Sequence, residues 1–533
     1  MWNLADLWET VADAQPDVMA QVRGERRTTW AEFDRRSDGI AATLLAAGLQ
    51  RHDKVAQYVY NSPEYMESVF ACFKASFIPV NTNYRYTDDE LRYLWDNSDT
   101  TAVIFHATFL ANVDRLRTQL PRIRCWLFVA DNSGAECPPW AIDYEQAAAS
   151  ASHRISAPWG RSGDDILLVY TGGTTGRPKG VMWRQDDVVM GLERSAKAPL
   201  PESFDAAAVA RRLTSTLVAI PAAPLIHGTG FFNSVNVLDF GGGLVTLGSR
   251  SFDAIELLDA IERERVKTIF IVGDVFSRPI VTALDAEPDR WDLSSLRVVS
   301  SSGVMWSAET KRGLLRHNPR LMLIDALGSS EAIAMARSVS TAGSESEAAS
   351  FTVGKGTLVI DDDGRPVEPG SGQRGRVALR GRPPVGYYKD PEKSAETFPV
   401  IDGVRYSVPG DWATVSADGT VNLLGRGSVC INTGGEKVFP EEVEEALKRH
   451  PSVADAVAVG VPDERFGSAV WAVVEPTGDG VDESELVSYV KETLAGYKAP
   501  KRILTVASID RGVNGKVDYR RWTDYAVEQH GAP

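Results

Sequence analysis

Asp165-Ile166-Leu167-Leu168-Val169-Tyr170-Thr171-Gly172-Gly173-Thr174-Thr175-Gly176-Arg177-Pro178-Lys179-Gly180-Val181-Met182-Trp183 is the stretch on which the reading of this chain turns. It opens on a strand-like apolar run and closes on β-prone residues, with glycines, threonine hydroxyls and two cations between them. Glycines let backbone N–H groups approach phosphate oxygens, hydroxyls add donors, and Arg177 and Lys179 add charge. The combination describes an anion cradle. In a Gly-Lys-Ser/Thr loop the lysine opens a helix; here Pro178 precedes Lys179 and Val181-Met182-Trp183 follows, so strand, loop, strand is expected. A plain surface turn would also be rich in Gly and Thr. The unbroken run of fitting residues from Tyr170 to Gly180 weighs against it.

Upstream of the loop, Thr29 and Glu32 have capping-box spacing, and the segment to Gly48 keeps helical periodicity before closing on glycine. Apolar runs at Val55 to Tyr60, Ile78 to Val80 and Ala102 to Phe105 alternate with helix-like stretches at Tyr65 to Ala75 and Asp89 to Trp95. Downstream, a second βα-rich stretch runs to about Met335. From Gly354 short strands broken by Gly and Pro follow. Near Gly425 to Ser428 the chain restarts with a hairpin-like Val421 to Ile431 and a helix opening at Pro440. Strands at Ala456 to Val461 and Ala469 to Glu475 and a helix from Glu483 to Ala495 come next. The expected fold is α/β. A large N-terminal domain (1–427) holds layered α/β subdomains plus a β-rich section, and a small mobile α+β domain spans 428–533.

Composition narrows the function. Of 533 residues 43% are hydrophobic and 24% charged, and the net charge of -15 argues against a general grip on nucleic acid. Cys72, Cys125, Cys137 and Cys430 lack CxxC spacing. No leader and no transmembrane stretch is read in the chain, so a cytoplasmic protein is expected. The sequence does not write an oligomeric state, and a homodimer stands as the expectation because dimers are the commonest assembly.

The phosphate loop resembles the signature of the adenylate-forming superfamily of acyl-CoA synthetases, peptide-synthetase adenylation domains and firefly-type luciferases. The likeness extends from about residue 5 to residue 520. It implies an enzyme that makes an acyl adenylate from ATP and a carboxylic acid, with Thr171 to Lys179 around the phosphates and Thr174 catalytic. Asp325-Ala326-Leu327-Gly328-Ser329-Ser330-Glu331 follows an apolar run, so a loop at a strand end is expected to present Ser330 and Glu331 together, a pairing suited to a magnesium-bound phosphate. By resemblance Glu331 holds Mg2+, Ser330 replaces the family's usual Thr, and Leu327 stands where a Tyr commonly flanks adenine. Ser302-Gly303-Val304 resembles the segment on adenine's other face.

Gly410-Asp411 and Gly425-Arg426 match the family's ribose contacts, a carboxylate accepting from sugar hydroxyls and a guanidinium reaching toward ribose or phosphate. Pro409 replaces the usual Thr before Gly-Asp. Lys516, in Asn514-Gly515-Lys516, matches the adenylation lysine, and Tyr519 sits where many relatives carry Arg. Gly434, Gly435 and Glu436 resemble the coenzyme A passage, and the stretch 427–437 resembles bacterial acyl-CoA synthetases of fatty-acid and steroid-side-chain breakdown. Ser428 takes the hinge position, usually Asp or Lys. His227 and Gly228, in Pro224-Leu225-Ile226-His227-Gly228-Thr229-Gly230, resemble the acyl-pocket motif; a structural histidine reads as well. The resemblance implies ATP, Mg2+ and coenzyme A as cofactor or co-substrates. A carrier-protein acceptor and a non-catalytic nucleotide-binding regulator are the alternatives.

Overall fold

The apolar runs become parallel strands because each is followed by an amphipathic helix that carries the chain back across one sheet face. The computed structural model describes residues 1–171, 177–195, 199–304, 306–344, 349–433, 436–463, 467–478, 480–512 and 515–530. In the first sheet Lys54–Tyr58, Ile78–Asn81, Thr100–His106 and Cys125–Val129 lie parallel, connected in part by helices Pro63–Lys74 and Asp88–Asn97. Ile166–Thr171 joins parallel to Ile78–Asn81, and Lys179–Arg184 returns antiparallel with Thr171 opposite Lys179. The expected strand, loop, strand layout therefore holds at both flanks of the phosphate loop. Thr29 caps helix Trp30–Ala46, its hydroxyl accepting from the Glu32 amide at 3.2 Å.

The second sheet begins with the chain's first strands. Met19–Arg23, Gly243–Val245, Val218–Pro221, Thr268–Ile271, Val298–Ser302 and Met322–Ser329 run parallel, and Ala332–Ser340 folds back as an antiparallel hairpin. Between the sheets lies a continuous apolar layer that includes the fully buried Trp8, Phe33, Phe70, Phe73 and Val235. Burying each large side chain stabilises by roughly 1.5–3 kcal/mol, so this layer locks the two sheets together and holds their strand ends in a fixed relation.

Two sequence expectations are corrected here. Asp325 to Ser329 is strand rather than loop, because its residues pair across the hairpin with Ala332 to Ser338; only Ser330 and Glu331 remain at the tip. Val421 to Ile431 is not one hairpin. Val421–Arg426 pairs with Asp411–Val415 in the β-rich section, a short turn Gly427–Val429 follows, and Ile431–Thr433 pairs instead with Glu436–Val438. The small C-terminal domain has a three-stranded sheet of Val453–Asp463, Gly467–Pro476 and Arg502–Thr505, packed by helices Pro440–Lys448, Glu483–Thr493 and Tyr519–His530. No helix among the described residues is long and apolar enough to cross a membrane.

Candidate active site

Parallel strands ending at one edge put their following loops side by side, and several of the candidate side chains stand at that edge. The hairpin tip Ser330-Glu331 is held from three sides. Trp183 Nε1 donates to the Ser330 carbonyl at 2.8 Å, the Ser407 hydroxyl donates to the Glu331 carbonyl at 2.6 Å, and the Tyr387 phenol donates to Glu331 Oε1 at 2.9 Å. Burial and the neighbouring Glu331 charge push the phenol's pKa well up, so it remains a donor.

Tyr387 also touches the phosphate loop's second flank. Lys179 Nζ lies 5.8 Å from the ring centroid and pairs with Asp390 Oδ2 at 2.5 Å, while the Arg177 guanidinium stands 4.8 Å from the Tyr93 ring centroid. Thr171, Arg177, Pro178 and Lys179 thus frame the loop's mouth. Gly172, Gly173, Thr174, Thr175 and Gly176 lie outside the described residues.

Across the cleft, Asp411 and Arg426 face each other on paired strands, with Arg426 Nε donating to Asp411 Oδ1 at 3.2 Å. The Asp411 carboxylate is the main reason the guanidinium's pKa rises. Gly303 adopts φ +99, a turn that leaves room beside the strand end Ser302, whose carbonyl accepts from Thr229 Oγ1 at 3.4 Å. Asp325 is buried, and burial pushes its carboxyl up to about 6 against the pull of Lys311 at 3.4 Å. Leu327 packs into an apolar cluster with Phe351 and Val377 while also lining the cleft, so the wall is apolar at this position. Ala326 and Gly328 border the same space.

Lys516 enters this space from the small domain. Gly515, at φ +68, packs so closely on Val272 and Val304 that a Cβ there would come within 3.1 and 3.3 Å of them, which seats the lysine's loop against the large domain. Lys516 is exposed along the open side of the cleft, yet desolvation by surrounding protein atoms lowers its pKa. Arg426 pushes the same way; Glu331 and Asp411 oppose. The cleft encloses about 560 Å³ and is lined by Gly303, Leu327, Asp411, Arg426 and Lys516 among others.

His227 sits beside the hairpin tip. Asn61 holds its loop by donating to the Pro221 and Ala223 carbonyls at 2.9 and 3.2 Å and accepting from the Leu225 amide at 2.7 Å; Asn81 donates to the Ile226 carbonyl at 2.7 Å. Burial, and then the Lys516 charge, lower the imidazole's pKa to about 4, so it is neutral at physiological pH. A Cβ on Gly228 would stand 3.7 Å from Ser330 Oγ. The acyl-pocket motif and the hairpin tip are therefore neighbours.

The family model for AMP-binding enzymes matches residues 8–388, and that for the AMP-binding enzyme C-terminal domain matches residues 442–516. The chain belongs to the AMP-binding enzymes. It is 40% identical over 541 residues to a medium/long-chain-fatty-acid–CoA/3-oxocholest-4-en-26-oate–CoA ligase of Mycolicibacterium smegmatis, covering 99% of this chain and 97% of the relative. It is also 40% identical to a 3-oxocholest-4-en-26-oate–CoA ligase of Rhodococcus rhodochrous, covering 99% and 96%. Among solved structures, an anthranilate CoA ligase in complex with anthranoyl-AMP superposes with a TM-score of 0.85 at 21% identity over 100% of this chain and 98% of that one. ATP-bound MatB from Rhodopseudomonas palustris gives 0.83 at 23%, covering 99% of each. These likenesses bear on fold.

In this AMP-binding enzyme Gly303, Val304, Asp325, Ala326, Leu327, Gly328, Asp411, Arg426 and Lys516 line one cleft, and the hairpin tip, the His227 loop and the flanks of the phosphate loop stand in the contacts given above. Gly434 and Gly435 lie outside the described residues, and of Glu436 only the backbone is described, opposite Thr433. Ser428 lies in the turn Gly427–Val429. Tyr387, Trp183, Asn61 and Asn81 were not found from sequence. Each acts through a tertiary hydrogen bond to a segment far along the chain, and nothing in their local spacing marks them.

Proposed function

We propose that this enzyme is an AMP-forming acyl-CoA ligase acting on a medium- or long-chain fatty acid or a steroid side-chain acid. What carries the reading is convergence: Lys516 of the small domain and the Asp411–Arg426 pair line one cleft, and the Glu331 carboxylate at the hairpin tip is near enough that it, Asp411 and Arg426 all bear on the lysine's charge. The full-length likeness to CoA ligases of fatty and steroid acids supports the substrate class.

In the first half-reaction a carboxylate oxygen of the acid attacks the α-phosphorus of ATP, and the bond to pyrophosphate breaks. Positioning and charge neutralisation supply most of the acceleration. Lys516 stabilises the charge that gathers on the α-phosphate oxygens, Asp411 accepts from ribose hydroxyls, and Arg426 reaches ribose or phosphate. Thr171 to Lys179 cradle the remaining phosphates, with Thr174 among the donors. Among the described residues no three His, Cys, Asp or Glu side chains cluster as a metal site. The Glu331 carboxylate at the hairpin tip, oriented by the Tyr387 phenol at 2.9 Å, would hold Mg2+, which takes one or two protein carboxylates and completes its shell with phosphate oxygens and water. Bound there, the ion would neutralise phosphate charge.

In the second half-reaction the small domain turns about Ser428, Lys516 withdraws, and Gly434, Gly435 and Glu436 approach the adenylate. The thiol of coenzyme A gives up its proton to solvent and its sulfur bonds to the acyl carbon as the acyl–phosphate oxygen bond breaks, and AMP leaves with that oxygen and the bonding pair. The boundary between 427 and 428 and a cytoplasmic location, where ATP and coenzyme A are both at hand, belong to the same reading. The test is pyrophosphate release with MgATP across fatty, steroid and aryl acids, with and without coenzyme A. AMP and a thioester appearing together support the ligase; pyrophosphate without thioester means another acceptor, and silence across the panel leaves either an acid outside the panel or a regulator.

A further inference from the structure

Helix Pro440–Lys448 meets the large domain through its first turn. Glu441 reaches back to the end of strand Val421–Arg426, where its Oε1 accepts the Arg426 backbone N–H at 3.2 Å. Its Oε2 is closed off from solvent and has no hydrogen-bond partner. Gly425 makes this approach possible: a Cβ there would lie 2.2 Å from Glu441 Oε2, and φ +132 independently favours glycine.

The surroundings do not favour a carboxylate. Glu444 faces it from the same helix, Asp411 and Arg426 from the strand pair, and Tyr519 from the last helix. Burial, with Glu444 and Asp411 adding to it, pushes the carboxyl up to about 8. Burying a half-satisfied carboxyl group opposes folding, so packing alone does not account for Glu441. The group it grips is the amide of the residue that carries the cleft's guanidinium.

We propose that Glu441 is a positioning residue of the adenylation half-reaction, the contact through which the docked small domain fixes the Gly425-Arg426 backbone and so sets Arg426 and Asp411 for the nucleotide. The proposal rests on the adenylating function argued above. It ties two events into one: the docking that delivers Lys516 also sharpens the nucleotide's sugar and phosphate contacts.

The experiment compares Glu441→Ala and Glu441→Gln with the wild type in two assays, pyrophosphate release against ATP concentration and thioester formation from a supplied acyl adenylate. Alanine leaves the Arg426 amide unpaired and should raise KM for ATP about tenfold or more, with thioester formation within about twofold of wild type. Glutamine keeps an acceptor and should restore most of the loss. A docked carboxyl that holds a proton the undocked one releases makes wild-type docking weaken as pH rises from the ordinary carboxyl range toward 8, so KM for ATP should climb from pH 6 to 8 in the wild type and stay flatter in the glutamine variant. An alanine variant with wild-type KM for ATP, equal impairment by both substitutions, or parallel loss of both half-reactions would overturn the proposal. A wild type that adenylates no acid would overturn the function beneath it as well, whereas an active wild type beside an unchanged alanine variant would overturn this proposal alone.

Discussion

The Tyr387 phenol donates to Glu331 Oε1 at 2.9 Å while the same ring lies 5.8 Å from Lys179 Nζ, so one side chain joins the hairpin tip to the flank of the phosphate loop. Hydrogen bonds to a charged partner contribute roughly 1.5–3 kcal/mol, and this one also fixes which way the carboxylate points. Tyr387→Phe keeps the ring and removes the donor. Pyrophosphate release should then need about tenfold more free magnesium for half-saturation, moving in the direction of Glu331→Gln. A magnesium titration indistinguishable from wild type would remove Tyr387 from this role.

Lys516→Ala should abolish adenylate formation, by about a hundredfold or more if the lysine acts chiefly on transition-state charge, and leave thioester formation from supplied acyl adenylate largely intact. The reason is geometric. Gly515 is seated on Val272 and Val304, a contact of the docked small domain, and Lys516 beside it lines the cleft. Equal loss in both half-reactions would mean that the small domain does not change its placement between them.

Residues whose chemistry is local were legible in the sequence. Pro178 with the β-prone residues after it told strand from helix on the far flank of the phosphate loop. The tip residues Ser330 and Glu331 were found, but the strand leading to them was cut short at Asp325, because polar residues there read as loop when their hairpin partners cannot be seen. Val421 to Ile431 failed for the same reason: strand pairing is chosen by a partner, here Asp411–Val415, that no local pattern names. Tyr387 and Glu441 stayed hidden because a single tertiary hydrogen bond defines each.

Asp411 and Arg426 are paired across neighbouring strands, so each orients the other's charged group. Asp411→Asn removes the charge and weakens that pair while keeping the side chain's size. KM for ATP should rise about tenfold or more, with KM for the acid little changed, since the acyl motif at His227 is a separate loop held by Asn61 and Asn81. A larger effect on the acid than on ATP would contradict the assignment of this pair to the nucleotide.

His106, at the end of strand Thr100–His106, is 2% exposed and accepts the Tyr60 amide at 3.0 Å through Nδ1. Burial lowers its pKa from 6.5 to about 4, so the fold holds the neutral ring. The sign follows from linkage. Above pH 6.5 folded and unfolded chains both carry the neutral ring and its full contribution is present; as pH falls toward 4 the unfolded chain takes up a proton that the fold refuses, and stability is lost. Over that window the loss amounts to about 3 kcal/mol for this one group. His106→Asn can keep an acceptor for the Tyr60 amide but does not titrate. The variant should be the less stable protein at pH 7 and draw level with or overtake the wild type near pH 4, as measured by chemical denaturation at pH 7, 5.5 and 4. A stability difference that stays constant across those three values would show that the buried ring is not what the acid attacks.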